Sequence, residues 1–349
     1  MSDALYSRLA EALDRLPGRF PSTPSGAEVP LLRRLFTPEQ AELGAVMGRD
    51  FEDAATIAAR VGSPAAVVEP RLEDMVEGGL ALAAGSEGTR AYRLDQFLDG
   101  IIERWADRLD GELATLFEAY MDDGGARVIM GARPAYARVL PSAKAIRAEW
   151  VLPYDDVRAV IEPTRSIVLN DCFCRAERAL AGSPCRFPTH VCLDLRSEPP
   201  PPGSTVISAD EALGILHEAE TAGLVHTVSN VLGSWKWLCN CCSCCCEFLR
   251  GYTHWQTETA VVRNYRVRVD EAPCTGCGVC EHRCQVAAIA VSAEVAVADT
   301  ERCIGCGLCV TTCPEGALEL ERLPEADITL PPKDIEAWED ERQRVRSGG

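Results

Sequence analysis

The sequence predicts an α+β chain of several domains. Three observations carry this expectation. Every one of the 18 cysteines lies at or after Cys172, in two regions with different spacing. Helical periodicity dominates the first 165 residues, broken by one short hairpin pattern, whereas strand-like alternation enters with the cysteines. Pro/Gly-rich stretches at about 17–30 and 199–203 punctuate the blocks. At 349 residues and 47% hydrophobic content the chain can bury two or three cores.

The balance of charge narrows the function. A formal charge of −18 argues against general affinity for DNA or anionic membranes, because binding phosphate requires a basic surface. An acidic surface suits docking to basic protein partners. The opening residues, MSDALYSRLAEALDRL, show no basic and then apolar leader pattern, and no apolar run reaches the length of a membrane span. In a reducing cytoplasm so many thiols are metal ligands rather than disulfides. A cytoplasmic, oxygen-poor setting is the expectation.

Residues 1–30 read as an amphipathic helix, with Leu5, Leu9, Leu13 and Leu16 on one face, followed by a linker. Residues 31–98 read as three helices and a hairpin. Thr37 is an N-cap with Pro38 at the first helical position, a second helix covers about 51–60, and a third covers 64–78. Two short strands around a turn at 86–88 complete the block. The phrases IAARVG and LEDMVEGGLAL resemble winged-helix domains, which usually place the third helix in the DNA major groove. Here that helix carries Glu69, Glu73, Asp74 and Glu77 against Arg71, so the domain is expected to dock protein rather than DNA. Residues 99–165 read as a helical connector, clearest where Leu113, Leu116, Phe117 and Tyr120 recur at helical spacing.

Residues 166–250 form a Cys-rich α+β domain. A strand at 167–169 delivers Cys172 and Cys174, with Cys185 and Cys192 following. Ser208 and Glu211 make a capping box that opens a helix ending at Gly223, and a strand at 224–228 leads into Cys239, Cys241, Cys242, Cys244, Cys245 and Cys246. Neighbours in an extended segment point to opposite faces, so Cys241 and Cys242 are not expected on one iron. The pattern DCFC…CNCCSCCC resembles Cys-rich domains of anaerobe proteins described only as 4Fe–4S-binding. Which of these ten thiols bind metal stays open: one or two iron–sulfur clusters, or zinc, would suit them. His190 and His226 read as hydrogen-bonded residues rather than ligands. Asp171, Arg175 and Arg186 could tune a site through charge.

Residues 260–320 carry the clearest signal. Cys274, Cys277, Cys280 and Cys284 read C-x₂-C-x₂-C-x₃-C, and Cys303, Cys306, Cys309 and Cys313 repeat it. Three thiols at this spacing wrap one iron–sulfur cube, while the fourth points at the other. Cys274, Cys277, Cys280 and Cys313 are thus expected on one [4Fe–4S] cluster, and Cys303, Cys306, Cys309 and Cys284 on a second. This stretch resembles the bacterial two-cluster ferredoxins, except that Gln285 stands where that family commonly has proline. Residues 321–349 read as an exposed tail. The leading expectation is an iron–sulfur electron carrier that serves redox-partner proteins. Two alternatives remain: a reductase with its catalytic site among residues 172–246, and a redox-sensing winged-helix regulator.

Overall fold

The computed structural model describes residues 3–86, 88–257 and 260–348. It is an α+β structure that divides into two compact units. One holds residues 1–131, 177–183 and 339–349; the other holds residues 132–176 and 184–338.

In the first unit a helix, Asp3–Arg15, buries Tyr6, Leu9, Ala10, Ala12 and Leu13 on one face. Helix Pro38–Gly44 starts with a capping box in which Thr37 and Gln40 satisfy each other's backbone N–H groups. Strand β1 (Glu52–Asp53) leads into helix Ala54–Val61, capped by the Asp53 carboxylate. Helix Ala65–Glu77 follows, then β2 (Ala81–Ala84) and β3 (Ala91–Leu94), which form an antiparallel sheet in the order β1-β3-β2. Residue 87, within the expected turn at 86–88, lies outside the described residues. Of the four acids on helix Ala65–Glu77, Glu73 turns to the hairpin. It accepts from Arg90 Nε at 2.8 Å and Tyr92 Oη at 2.6 Å. Phe20, Phe97, Phe117 and Tyr120 form an aromatic core, with Phe20 and Tyr120 stacked at 4.4 Å.

The second unit is built on a seven-stranded sheet. Its members are β4 (Ala137–Val139), β5 (Ser166–Asp171), β6 (His190–Arg196), β7 (Val206–Ile207), β8 (Val225–Ser229), β9 (Trp237–Cys241) and β10 (Val261–Val262). The order is β10-β4-β8-β9-β6-β5-β7, antiparallel except for β10 with β4. Every residue of the central β8 is buried, as expected for a strand covered on both faces. One face packs Leu193, Leu195, Val228 and Leu238 against helix Ala209–Ala222, whose capping box at Ser208 and left-handed Gly223 match the sequence signals. The other face packs Ala137, Val139, Val225, Trp237 and Cys241 into one core with Val267, Ile289, Ile304 and Leu318 of the C-terminal Cys-rich segment.

Two elements differ from the sequence reading. Residues 137–139, inside the supposed connector, form an interior strand, and Arg138 is buried in an ion pair with Asp155 at 3.0 Å. The supposed tail forms helix Ile335–Arg346. Trp338, 4% exposed, donates its indole N–H to Ala135 O at 2.8 Å.

The chain closes with β11 (Tyr265–Val269) paired to β14 (Leu318–Arg322), and β12 (Ile289–Ser292) paired to β13 (Val295–Ala298). The neighbouring β10 and β11 belong to different sheets.

Candidate metal centres

The C-terminal segment sets its eight cysteines around two cavities. One is lined by Cys274, Cys277, Cys280 and Cys313 with Pro314 beside them. The other is lined by Cys284, Cys303, Cys306 and Cys309. Each cavity thus takes three thiols from one run and the fourth from the other. The exchange follows from two short helices, Val279–Arg283 and Leu308–Thr311, which carry the fourth cysteine of each run away from its loop.

Backbone N–H groups aim at sulfurs in both places. Ala288 N–H donates to Cys284 Sγ at 3.2 Å and Ala317 N–H to Cys313 Sγ at 3.3 Å, the same four-residue step in each run. Ala296 N–H donates to Cys274 Sγ at 3.3 Å. Such bonds hold a sulfur in orientation. Gly276 and Gly305 adopt φ of +62° and +69°, and a Cβ at either would strike the backbone of Glu294 or Tyr265. Burial pushes the Cys306 thiol up to about 12, and raises Cys280, Cys303 and Cys309 as well. Cys277 is exposed, so the first cavity reaches solvent, whereas Cys303 and Cys309 of the second are buried. A set of four thiols around a largely apolar cavity suits an iron–sulfur cluster.

In the middle region the ten cysteines separate into two groups. Strand alternation sends Cys239 and Cys241 to one face of the sheet. Cys192 on β6 meets Cys239 at 3.5 Å. Cys241 also contacts Cys246; Cys246 contacts Cys174; and Cys174 contacts Cys172 and the Glu247 carboxylate. These six thiols form a continuous strip. The other four, Cys185, Cys242, Cys244 and Cys245, gather between the loop after helix Phe173–Leu180 and the turn between β9 and helix Glu247–Thr253. As alternation requires, the adjacent Cys241 and Cys242 serve different groups.

Arg175, 2% exposed, lies against both groups. It donates to Pro188 O at 2.9 Å and Asn240 O at 2.7 Å, and faces Cys172, Cys241 and Cys242. Cys242 is held down at about 5, first by the thiol of Cys245 and then, against burial, by the Arg175 charge. Bonds from neighbouring thiols likewise lower Cys172 and, more strongly, Cys241. Burial and the neighbouring Cys242 thiolate push Cys244 up to about 12. The thiolate is the metal-binding form, and a buried guanidinium favours it at three positions.

The other candidates fall outside these groups. His226, buried, bonds Asn240 Oδ1 at 2.6 Å and Glu220 Oε1 at 3.2 Å. His190 pairs with the exposed Asp171 at 3.0 Å. Arg186 is exposed over the Phe187 ring. Trp237 stacks on Phe248 at 5.3 Å, as a core residue does.

Sequence reasoning missed two residues that position these groups. Gln285 Oε1 accepts from Ser243 N at 3.0 Å and Ser243 Oγ at 3.1 Å, and its Nε2 donates to Gly223 O at 2.8 Å. It therefore ties the residue after Cys284 to the turn that carries Cys242 and Cys244. The departure from proline was the signal. Glu247 was the other; its only sequence mark is adjacency to Cys246.

Comparison with known families adds one match. Residues 296–319 match the family of 4Fe-4S binding domains. No curated protein and no solved structure matches the chain. The match implies at least one [4Fe–4S] cluster, and together with the middle thiol group it marks an iron–sulfur protein. No helix among the described residues is long and apolar enough to cross a membrane.

Proposed function

We propose that this chain is an electron-transfer protein, or the electron-transfer subunit of an oxidoreductase, working in an oxygen-poor cytoplasm. It would pass single electrons between a low-potential donor and a redox enzyme. The observation that carries the reading is the pair of cavities, each with four cysteines drawn from both runs. Cys274, Cys277, Cys280 and Cys313 would hold one [4Fe–4S] cluster, and Cys284, Cys303, Cys306 and Cys309 the second. When bound, such clusters supply one-electron storage at low potential.

The chain's own residues supply the rest. The N–H groups of Ala288, Ala296 and Ala317 would orient the ligating sulfurs. Val267, Ile289, Ile304 and Leu320 keep water from the second cavity. Cys277 brings the first to the surface, where a partner can approach. The acidic chain would favour a basic partner face. The strip of Cys172, Cys174, Cys192, Cys239, Cys241 and Cys246 would hold a further iron–sulfur centre. Cys241 and Cys246 share a core with Cys280, Cys303 and Cys309, which supports one continuous relay. Residues 31–98 would be a winged-helix-like docking module for protein rather than DNA. Glu69, Asp74 and Glu77 remain on its third helix after Glu73 has paired inward.

Reductive titration of the anaerobic full-length protein, followed by rapid mixing with a one-electron acceptor, tests the proposal. Reversible uptake and release of at least about two electrons per chain is expected. Clusters that cannot be reoxidised, or bleaching without electron transfer, would count against it.

A further inference from the structure

Cys185, Cys242, Cys244 and Cys245 are the only group among the described residues in which three or more Cys, His, Asp or Glu side chains bring ligand atoms within 4.8 Å of one another. The sulfur separations are 3.4 Å for Cys185–Cys244 and Cys242–Cys244, 3.7 Å for Cys185–Cys242, and 3.8 Å for Cys244–Cys245. A single tetrahedral zinc bound to four thiolates at about 2.3 Å places its sulfurs about 3.8 Å apart. A cube attaches each cysteine to a different corner iron and must hold the sulfurs farther apart. The same chain supplies the comparison: no three of its eight C-terminal cysteines bring their sulfurs within 4.8 Å of one another.

We propose that Cys185, Cys242, Cys244 and Cys245 bind one tetrahedral divalent metal ion, zinc or ferrous iron, in a site separate from the six-thiol strip. Four thiolates around a divalent ion leave an excess of negative charge. Arg175, buried and touching Cys242, offsets part of it. Phe187 N–H donates to Cys185 Sγ at 3.4 Å, as outer partners of bound thiolates do. Cys242 and Cys245 are buried while Cys244 is exposed, which gives the ion a path from solution.

The ion would join Cys185 to a turn 57–60 residues later, closing a long loop. With iron the site adds a one-electron centre one residue from the Ser243–Gln285 contact; with zinc it is structural. This site goes beyond the electron-transfer reading and would stand without it.

The test compares the anaerobic full-length protein with Cys185→Ser and Cys244→Ser, measuring zinc, iron and acid-labile sulfide. Loss of about one ion per chain with sulfide unchanged is expected. Loss of about four irons together with about four sulfides would overturn the proposal, as would no loss of metal. If a variant fails to fold, wild-type protein produced with cobalt in place of zinc decides the matter. Tetrahedral cobalt–thiolate absorption is the expected result, and its absence counts against the site. EPR of the reduced C-terminal clusters in the same samples reports separately on the electron-transfer reading.

Discussion

Replacing Gln285 with alanine should loosen the attachment of the C-terminal cysteine run to the middle sheet. The side chain makes three hydrogen bonds, to Ser243 N at 3.0 Å, Ser243 Oγ at 3.1 Å and Gly223 O at 2.8 Å. At about 1 kcal/mol net for each, the upper bound is about 3 kcal/mol. Gln285 is only half-buried, so water replaces part of this and a loss of about 1.5–3 kcal/mol is expected. For a unit of this size that corresponds to a fall in Tm of roughly 3–12 °C. Gln285→Glu keeps the acceptor for Ser243 but removes the donor to Gly223, and should fall between the two. The assay is anaerobic thermal unfolding of the metal-loaded full chain by circular dichroism, with cluster absorbance followed in parallel. A Gln285→Ala protein that melts like wild type would refute the reasoning, because three bonds spanning separate segments would then contribute nothing.

Other outcomes follow from the same structure. Cys313→Ser should damage the cluster proposed on Cys274, Cys277 and Cys280; EPR showing loss of the cluster proposed on Cys303, Cys306 and Cys309 instead would contradict the exchanged ligation. Arg138→Ala should cost about 3–5 kcal/mol in urea unfolding, because it leaves Asp155, 1% exposed, without its buried partner. Hydrogen bonds from Arg90 and then Tyr92 hold the Glu73 carboxyl below its ordinary value. The stability this contributes is present above the usual carboxylate range and lost as pH falls through the depressed value, so Glu73→Gln should flatten the acid limb of a urea-midpoint profile below about pH 5. The full chain should pass over immobilised duplex DNA at physiological salt, and tight, salt-sensitive retention would overturn the docking role given to residues 31–98.

Much of the site was legible because short-range spacing determines it. Two C-x₂-C-x₂-C-x₃-C runs, each ending on a short helix, lead locally to the two cavities. Capping at Thr37 and Ser208 is equally local, as is the split of Cys241 from Cys242 by strand alternation. What stayed hidden depends on partners distant in sequence. Ala137–Val139 is too short for its alternation to be read as a strand; it becomes one because β8 and β10 pair with it. Helix Ile335–Arg346 looks too polar to fold, yet Glu339 is buried in ion pairs with Arg49 and Arg93, both at 3.1 Å. The division of ten middle thiols into a strip and a quartet needed the turn after Cys241 and the position of Arg175, which no spacing rule reports.

The most direct measurement for the central claim is the iron and acid-labile sulfide content of the anaerobically purified full-length chain, with EPR before and after reduction. The account predicts at least about eight irons and about eight sulfides per chain, with interacting signals from two reduced [4Fe–4S] clusters. Zinc without sulfide, or a single four-iron signal, would contradict it.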